Sequence, residues 1–232
     1  MKKVLIITAV ALAVLGLLYF YQQQGFVKIF PTRQDREIKK ILEIDRSKFQ
    51  PAEGLTAEQF EAEIKELEKR RQRVLDNPDN ADAWFDFGYT KDFLNDHAGA
   101  VAAWEKSYEL QPLSFLITGN LANTYQYFLR DFVKAEVYYK KTLELKPDLT
   151  GAYSGLLDLY RFNLPDKKDQ VEPLALQAAE NDPANSGHYY STLVDFFMRD
   201  SDIVKAKEYL KKIQFVRPDL VGEILETYPA LR

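Results

Sequence analysis

Residues 81–112 read ADAWFDFGYTKDFLNDHAGAVAAWEKSYELQP. Large side chains (Trp84, Trp104) recur in this stretch at helical spacing, together with small ones (Gly88, Ala100). Small residues let two helices approach closely, and the aromatic side chains fill the space between them. Pro112 closes the stretch, because its ring cannot continue a helix. The pattern predicts two antiparallel helices whose tryptophans lie in the core.

The terminal proline repeats along the chain. Pro78, Pro112, Pro147, Pro183 and Pro218 are separated by 34, 35, 36 and 35 residues. Self-similarity at this period indicates a stack of structural repeats, each of which buries its apolar face against the next. Such an array usually works as a binding surface.

Equivalent aromatic and small residues follow each proline. After Pro112 they include Leu121, Ala122, Tyr125, Ala135 and Tyr139; after Pro147, Tyr153, Leu156, Leu157, Tyr160 and Ala175; after Pro183, Tyr189, Leu193, Phe196, Ala206 and Leu210. This order resembles the tetratricopeptide repeat. The resemblance implies an all-α, right-handed superhelical solenoid. Four residues depart from its pattern: Lys91 and Thr118 replace aromatic residues, while Val171 and Ala175 replace the usual Ala and large residue of the third repeat.

The resemblance divides the chain into four repeats. They are predicted at 79–112, 113–147, 148–183 and 184–218. A leading helix at 55–78 starts with a capping box, Thr56 to Gln59, and covers the first repeat. The segment 219–232 is predicted to be a capping helix over the last repeat. A charged connector spans 31–54.

An apolar segment opens the chain. Residues 1–30 contain Lys2, Lys3 and then an uncharged run from Val4 to Tyr21, long enough for a transmembrane helix. We interpret it as an uncleaved signal anchor, because the small-residue sites for cleavage fall inside the run. A cleaved secretory signal is the alternative.

The anchor predicts a single-pass protein of a bacterial-type cell membrane. Lys2 and Lys3 favour repeats on the outer, periplasmic or extracellular face. Basic residues beyond the run, such as Lys28 and Arg33, favour the alternative of cytoplasmic repeats.

Composition narrows the function. The chain is 46% hydrophobic and 28% charged, which predicts a folded core. A net charge of -4 gives no basic footprint for nucleic acid, and the absence of cysteine excludes disulfides. His97, in a predicted solvated turn, and His188, at a predicted helix start, lack metal-ligand spacing. We therefore expect no enzyme, no cofactor and no metal.

The resemblance implies a concave groove lined by the first helices of the repeats. Carboxylate-clamp members of the family bind chaperone tails there, but Phe85, Tyr89, Gly151 and Gly155 occupy four of the clamp positions, and only Asn120 fits. We therefore expect no clamp function. The predicted groove is lined mainly by aromatic side chains with a few polar ones among them, which suits a protein or peptide segment. The residues predicted to line it are Phe85, Tyr89, Phe93, Asn120, Asn123, Tyr127, Asp158, Arg161, Phe162, Tyr190 and Phe197.

Two hypotheses of function follow. The first is a membrane-anchored scaffold that binds a protein partner in this groove and assembles a complex at the membrane. The alternative is a structural subunit of a membrane complex or self-assembly, whose groove is filled internally.

Overall fold

The computed structural model describes residues 12, 14–21, 32–51 and 54–232. It divides into two compact units, Met1–Arg46 and Ser47–Arg232. Every regular element in these described ranges is helical, and none of them contains a strand.

The first unit contains helix α1, Arg33–Ile41. Its N-terminus is a capping box, in which the Asp35 amide donates to the Thr32 hydroxyl and the Thr32 amide donates to the Asp35 carboxylate. Residues 14–21 are also helical. The rest of the predicted anchor segment, residues 1–11, 13 and 22–30, lies outside the described residues. Among the helices that are described, none combines the length and apolarity needed to cross a membrane.

The second unit is a succession of helices joined by short turns. Their bounds are α2 Ala57–Asp76, α3 Ala81–Phe93, α4 His97–Leu110, α5 Phe115–Thr124, α6 Phe132–Leu145, α7 Thr150–Asp158, α8 Val171–Asn181, α9 Ser186–Arg199, α10 Ile203–Val216 and α11 Val221–Thr227. Two π turns, Tyr125–Leu129 and Leu159–Asn163, extend α5 and α7. Short 3₁₀ turns cover Arg46–Lys48, Pro165–Gln170, Pro183–Asn185, Pro218–Leu220 and Pro229–Leu231.

These helices pack as consecutive pairs. Helix α3 packs on α4, α5 on α6, α7 on α8 and α9 on α10. The second helix of each pair also packs on the first helix of the next, and α2 packs on α3. This confirms the predicted solenoid of helix-turn-helix repeats.

The prolines stop the second helices as predicted. Asn77, Gln111, Lys146, Asp182 and Arg217 each precede one of them, with φ between -130° and -148°. A following proline ring forces its neighbour out of the helical region. Each of these residues still donates its amide to the carbonyl four positions back, so the helix ends without a lost hydrogen bond.

The turn inside three of the four repeats has one design. Asn95, Arg130 and Ser201 adopt φ of 64°, 54° and 61°. The aspartate that follows each of them caps the next helix: Asp96, Asp131 and Asp202 accept from Gly99, Lys134 and Lys205 amides. The third repeat lacks this turn. Its α8 follows the 3₁₀ turn Pro165–Gln170 and has no side-chain cap.

The predicted core is confirmed. Trp84, Phe87 and Trp104 are fully buried. The Trp84 and Trp104 indole N–H groups donate to the carbonyls of Pro78 (2.7 Å) and Phe85 (3.1 Å). A Cβ on Gly88 would lie 2.7 Å from the Trp104 ring, so the close approach of α3 and α4 requires glycine there.

A tyrosine–glutamate hydrogen bond joins each repeat to the next. Glutamates on the second helices accept from tyrosines one repeat further along: Tyr125 to Glu105 (2.5 Å), Tyr160 to Glu136 (2.8 Å) and Tyr209 to Glu172 (2.5 Å). Burial and the Glu136 carboxylate together raise the pKa of Tyr160 to about 12. The hydroxyls therefore stay protonated and keep donating across the repeat boundaries.

Candidate partner-binding groove

Side-chain contacts join the first helices of the third and fourth repeats. Arg161 on the π turn after α7 donates to Asp195 on α9, and Ser154 lies 3.2 Å from the His188 ring nitrogen. Further along, Tyr228 donates to Asp195, which ties the end of α11 to α9. Arg161 is one of the predicted groove residues, so these contacts lie where the groove was predicted.

Three exposed aromatic residues recur at the spacing of the repeat near the ends of the first helices. Phe93, Tyr127 and Phe162 are 34 and 35 residues apart, and they are 39%, 52% and 56% exposed. Phe93 ends α3, whereas Tyr127 and Phe162 lie on the two π turns. We call these three residues the aromatic row. Two of the three rings therefore lie where the backbone departs from regular helix. π turns are rare and recur at functional sites.

The flank of the row is uncharged at the second repeat. No Asp, Glu, Lys or Arg occurs from Phe115 to Leu129. Asn123 is exposed, and its side-chain oxygen accepts from the buried Tyr139 hydroxyl at 2.7 Å. Asn120 is half-buried and donates to the Leu116 carbonyl on its own helix at 2.8 Å. Tyr89 adds a further exposed ring on α3.

The far end of the row is charged. Arg161 pairs with Asp158 at 3.2 Å and also with Asp195, and its guanidinium lies 4.6 Å from the centre of the Phe162 ring. Burial raises the pKa of Asp158 despite the nearby Arg161. Burial would also raise the pKa of Asp195, but hydrogen bonds from Tyr228 and Arg199 hold it below its usual value. These charges are paired with one another, so they hold α7 and α9 together.

Three predicted groove residues face inward. Phe197 is 7% exposed and stacks on Tyr209 with ring centres 5.8 Å apart, which corrects its assignment to the groove. Tyr190 is half-buried and stacks on the same Tyr209 at 6.2 Å. Phe85 is half-buried against Trp104. Each of the three packs on the second helix of its own repeat. The sequence did not predict this, because helical spacing alone does not distinguish a side chain that faces the second helix from one that faces the groove.

The two histidines have different environments. The expectation of a solvated turn at His97 is wrong: this residue begins α4, lies 2.7 Å from Asp92 and stacks on Phe128 at 3.6 Å between ring centres. Phe128, itself 53% exposed, was not predicted, because a π turn shifts the helical register. His188 is exposed near the start of α9, as predicted.

A cavity of about 460 Å³ lies between α6, α7 and α8. Leu143, Leu156, Leu174 and Gln177 line it. Its tyrosine hydroxyls are already bonded, Tyr153 to Asn181 and Tyr160 to Glu136. In the described part of the chain, no three His, Asp or Glu side chains are placed to hold a metal ion.

Comparison with known proteins identifies the fold. No family model and no curated protein matches the chain. A crystal structure of MamA is 13% identical, covers 84% of this chain and 99% of its own, and has a TM-score of 0.59. MamA 41-end from Desulfovibrio magneticus RS-1 is 18% identical, with coverage of 68% and 86% and a TM-score of 0.54. Pseudomonas aeruginosa pilF is 14% identical, with coverage of 95% and 96% and a TM-score of 0.51.

These similarities are at the level of the fold. Together with the helix pairs and proline stops described above, they identify a tetratricopeptide-type solenoid.

Proposed function

We propose that the chain is a scaffold that binds a segment of a partner protein along the aromatic row. The observation that carries this proposal is the exposure of three aromatic rings that recur at the spacing of the repeat. Aromatic side chains provide large, rigid contact area and dominate binding energy at protein interfaces. Buried aromatic positions would be expected in a purely structural array, whereas these three face solvent.

The spacing of the row defines what the partner presents. First helices that touch, as α7 and α9 do, have axes about 8–10 Å apart. A helix rises about 1.5 Å per residue, so apolar residues seven apart match this interval. An extended segment matches it with residues three apart, at about 3.3 Å per residue. The partner segment therefore carries regularly spaced apolar anchors, and its central part is uncharged, as the α5 flank is.

The proposal includes an N-terminal anchor that attaches the chain to a membrane. The uncharged run from Val4 to Tyr21 supports a membrane anchor in a bacterial-type cell membrane, and Lys2 and Lys3 support repeats on the outer face. Fusing the chain to an enzyme reporter that is active only outside the cytoplasm tests this orientation. An inactive reporter at the C-terminus contradicts it.

The competing function is a structural subunit whose groove is filled by its own chain. Two contacts favour it: the Gln50 amide donates to the Leu94 carbonyl (3.1 Å), and Phe49 is buried. These contacts place residues 49–50 at the turn of the first repeat. The rings of the aromatic row stay exposed beyond them.

Photocrosslinking in the native cell separates the two functions. A photoreactive phenylalanine replaces Tyr127, and the matched control replaces Val137, which is exposed on the second helix of the same repeat. The proposal predicts a discrete higher-mass adduct from position 127 alone. Adducts only within the chain, mapping to 26–55, support the structural alternative.

A further inference from the structure

The C-terminal end of α10 carries a protruding aromatic side chain outside the groove. Phe215 is 94% exposed, and its neighbour Val216 is 44% exposed. With Tyr190, Lys211 and Lys212 they border a shallow depression of about 300 Å³. We call these five residues the α10 tip. Moving a phenylalanine ring from water into an apolar environment is favourable, so a surface that covers Phe215 and Val216 together gains binding energy from both.

The charge around the α10 tip is opposite to that of the whole chain. Helix α10 contains four lysines and one glutamate, whereas the chain has a net charge of -4. Two of these lysines, Lys211 and Lys212, lie at the tip, and Lys212 is 4.0 Å from Glu208 on the same helix. Lys211 is exposed, and the Lys212 ammonium lies over the Tyr209 ring, 4.9 Å from its centre. Lysine stems can lie along apolar surface while their ammonium groups reach outward.

We propose that the α10 tip contacts an anionic lipid surface. Phe215 would enter the boundary between headgroups and acyl chains, and Lys211 and Lys212 would pair with lipid phosphates. The exposure of the Phe215 ring beside two lysines favours lipid, because a projecting aromatic side chain fits a deformable apolar layer and the lysines fit its anionic headgroups. The contact is independent of the groove and of its partner.

The absence of cysteine makes a site-specific test possible. Gln214, exposed beside Phe215, is changed to Cys in the full chain and labelled with an environment-sensitive fluorophore. The protein is reconstituted in vesicles of phosphatidylcholine alone or with added phosphatidylglycerol. A probe at Val137→Cys is the control, because any N-terminal insertion affects both labelled proteins equally.

The proposal predicts a shift of emission to shorter wavelength at position 214 in the anionic vesicles only, with quenching by lipid-borne quenchers. Phe215→Ser or Lys211→Gln should abolish that shift, and position 137 should show none. An unchanged spectrum in anionic vesicles overturns the proposal. A shift that instead follows protein concentration, or that requires an added acidic protein, overturns it in favour of a second copy or a protein partner.

Discussion

At the scale of single residues, departures from the repeat pattern have local physical causes. Lys91 stands where the pattern has an aromatic residue, and it is 3% exposed. Its ammonium pairs with Asp96 at 2.9 Å and lies over the Phe87 ring. Asp96 also caps α4, so one carboxylate neutralises a buried charge and begins a helix. The sequence alone marked Lys91 as an exception but could not show its buried partner.

The glycines of the first helices provide a matched pair of variants. Gly88→Ala should lower the free energy of unfolding by about 1–3 kcal/mol, because the new methyl group overlaps Trp104. At Gly119→Ala the nearest atom is 3.8 Å away, so the better helix propensity should stabilise the protein by up to about 1 kcal/mol. Urea denaturation measures both. Equal effects of the two changes would contradict the packing described for α3 and α4.

The glutamate contacts between repeats predict a pH dependence. Burial would raise the pKa of Glu172, but hydrogen bonds from Lys205 and Tyr209 hold it below its usual value. A carboxyl with a depressed folded pKa stabilises the fold above its unfolded pKa, and this contribution is lost as pH falls through the folded pKa.

Glu172→Gln should therefore cost about 1–2 kcal/mol at neutral pH and make stability less sensitive to acid. Glu180→Gln, exposed on the same helix, is the control and should preserve the wild-type acid limb. Urea denaturation across the acid range measures both variants. The same acid dependence in Glu172→Gln as in wild type would contradict a role for this contact.

At the scale of elements, the turns separate regular repeats from the irregular one. The aspartate that follows a left-handed residue begins α4, α6 and α10, whereas α8 starts without a side-chain cap. Asp131→Ala should destabilise the protein by about 1 kcal/mol. Gln170→Ala, which precedes α8, should change stability by less than about 0.5 kcal/mol. Denaturant midpoints test this difference, and equal losses would refute the capping role.

The sequence predicted the elements where the signal was local. Each proline stop and the capping box at Thr56 follow from steric and hydrogen-bonding rules that involve a few adjacent residues. The π turns at Tyr125 and Leu159 were not predicted, because a turn of five residues has no comparable composition signal. The 3₁₀ turn Pro165–Gln170 was also missed, although Val171 and Ala175 had marked the third repeat as irregular.

At the scale of the whole molecule, the two ends of the array differ. Paired charged and polar side chains join the first helices of the last two repeats, whereas exposed aromatic rings occur in the first three repeats. Ion pairs and hydrogen bonds connect α7 with α9. Tyr228, which follows α11, also donates to Asp195 on α9. The aromatic row spans the first three repeats. The sequence predicted the row as part of a larger groove. The sequence could not show that Phe197 lies outside the groove, because the direction of its side chain depends on how the two helices of its repeat cross.

Binding of the partner along the aromatic row can be measured by photocrosslinking in the native cell. A photoreactive residue replaces the exposed Asn123, and its adduct with the partner is measured in the native cell. The same measurement is then made in chains that also carry Phe93→Ser or Phe162→Ser. Val137→Ser, on the opposite helix of the second repeat, is the matched control. The partner adduct should disappear in both row variants, with unchanged folding, and persist in the control. An adduct that survives both row changes would contradict binding along the aromatic row.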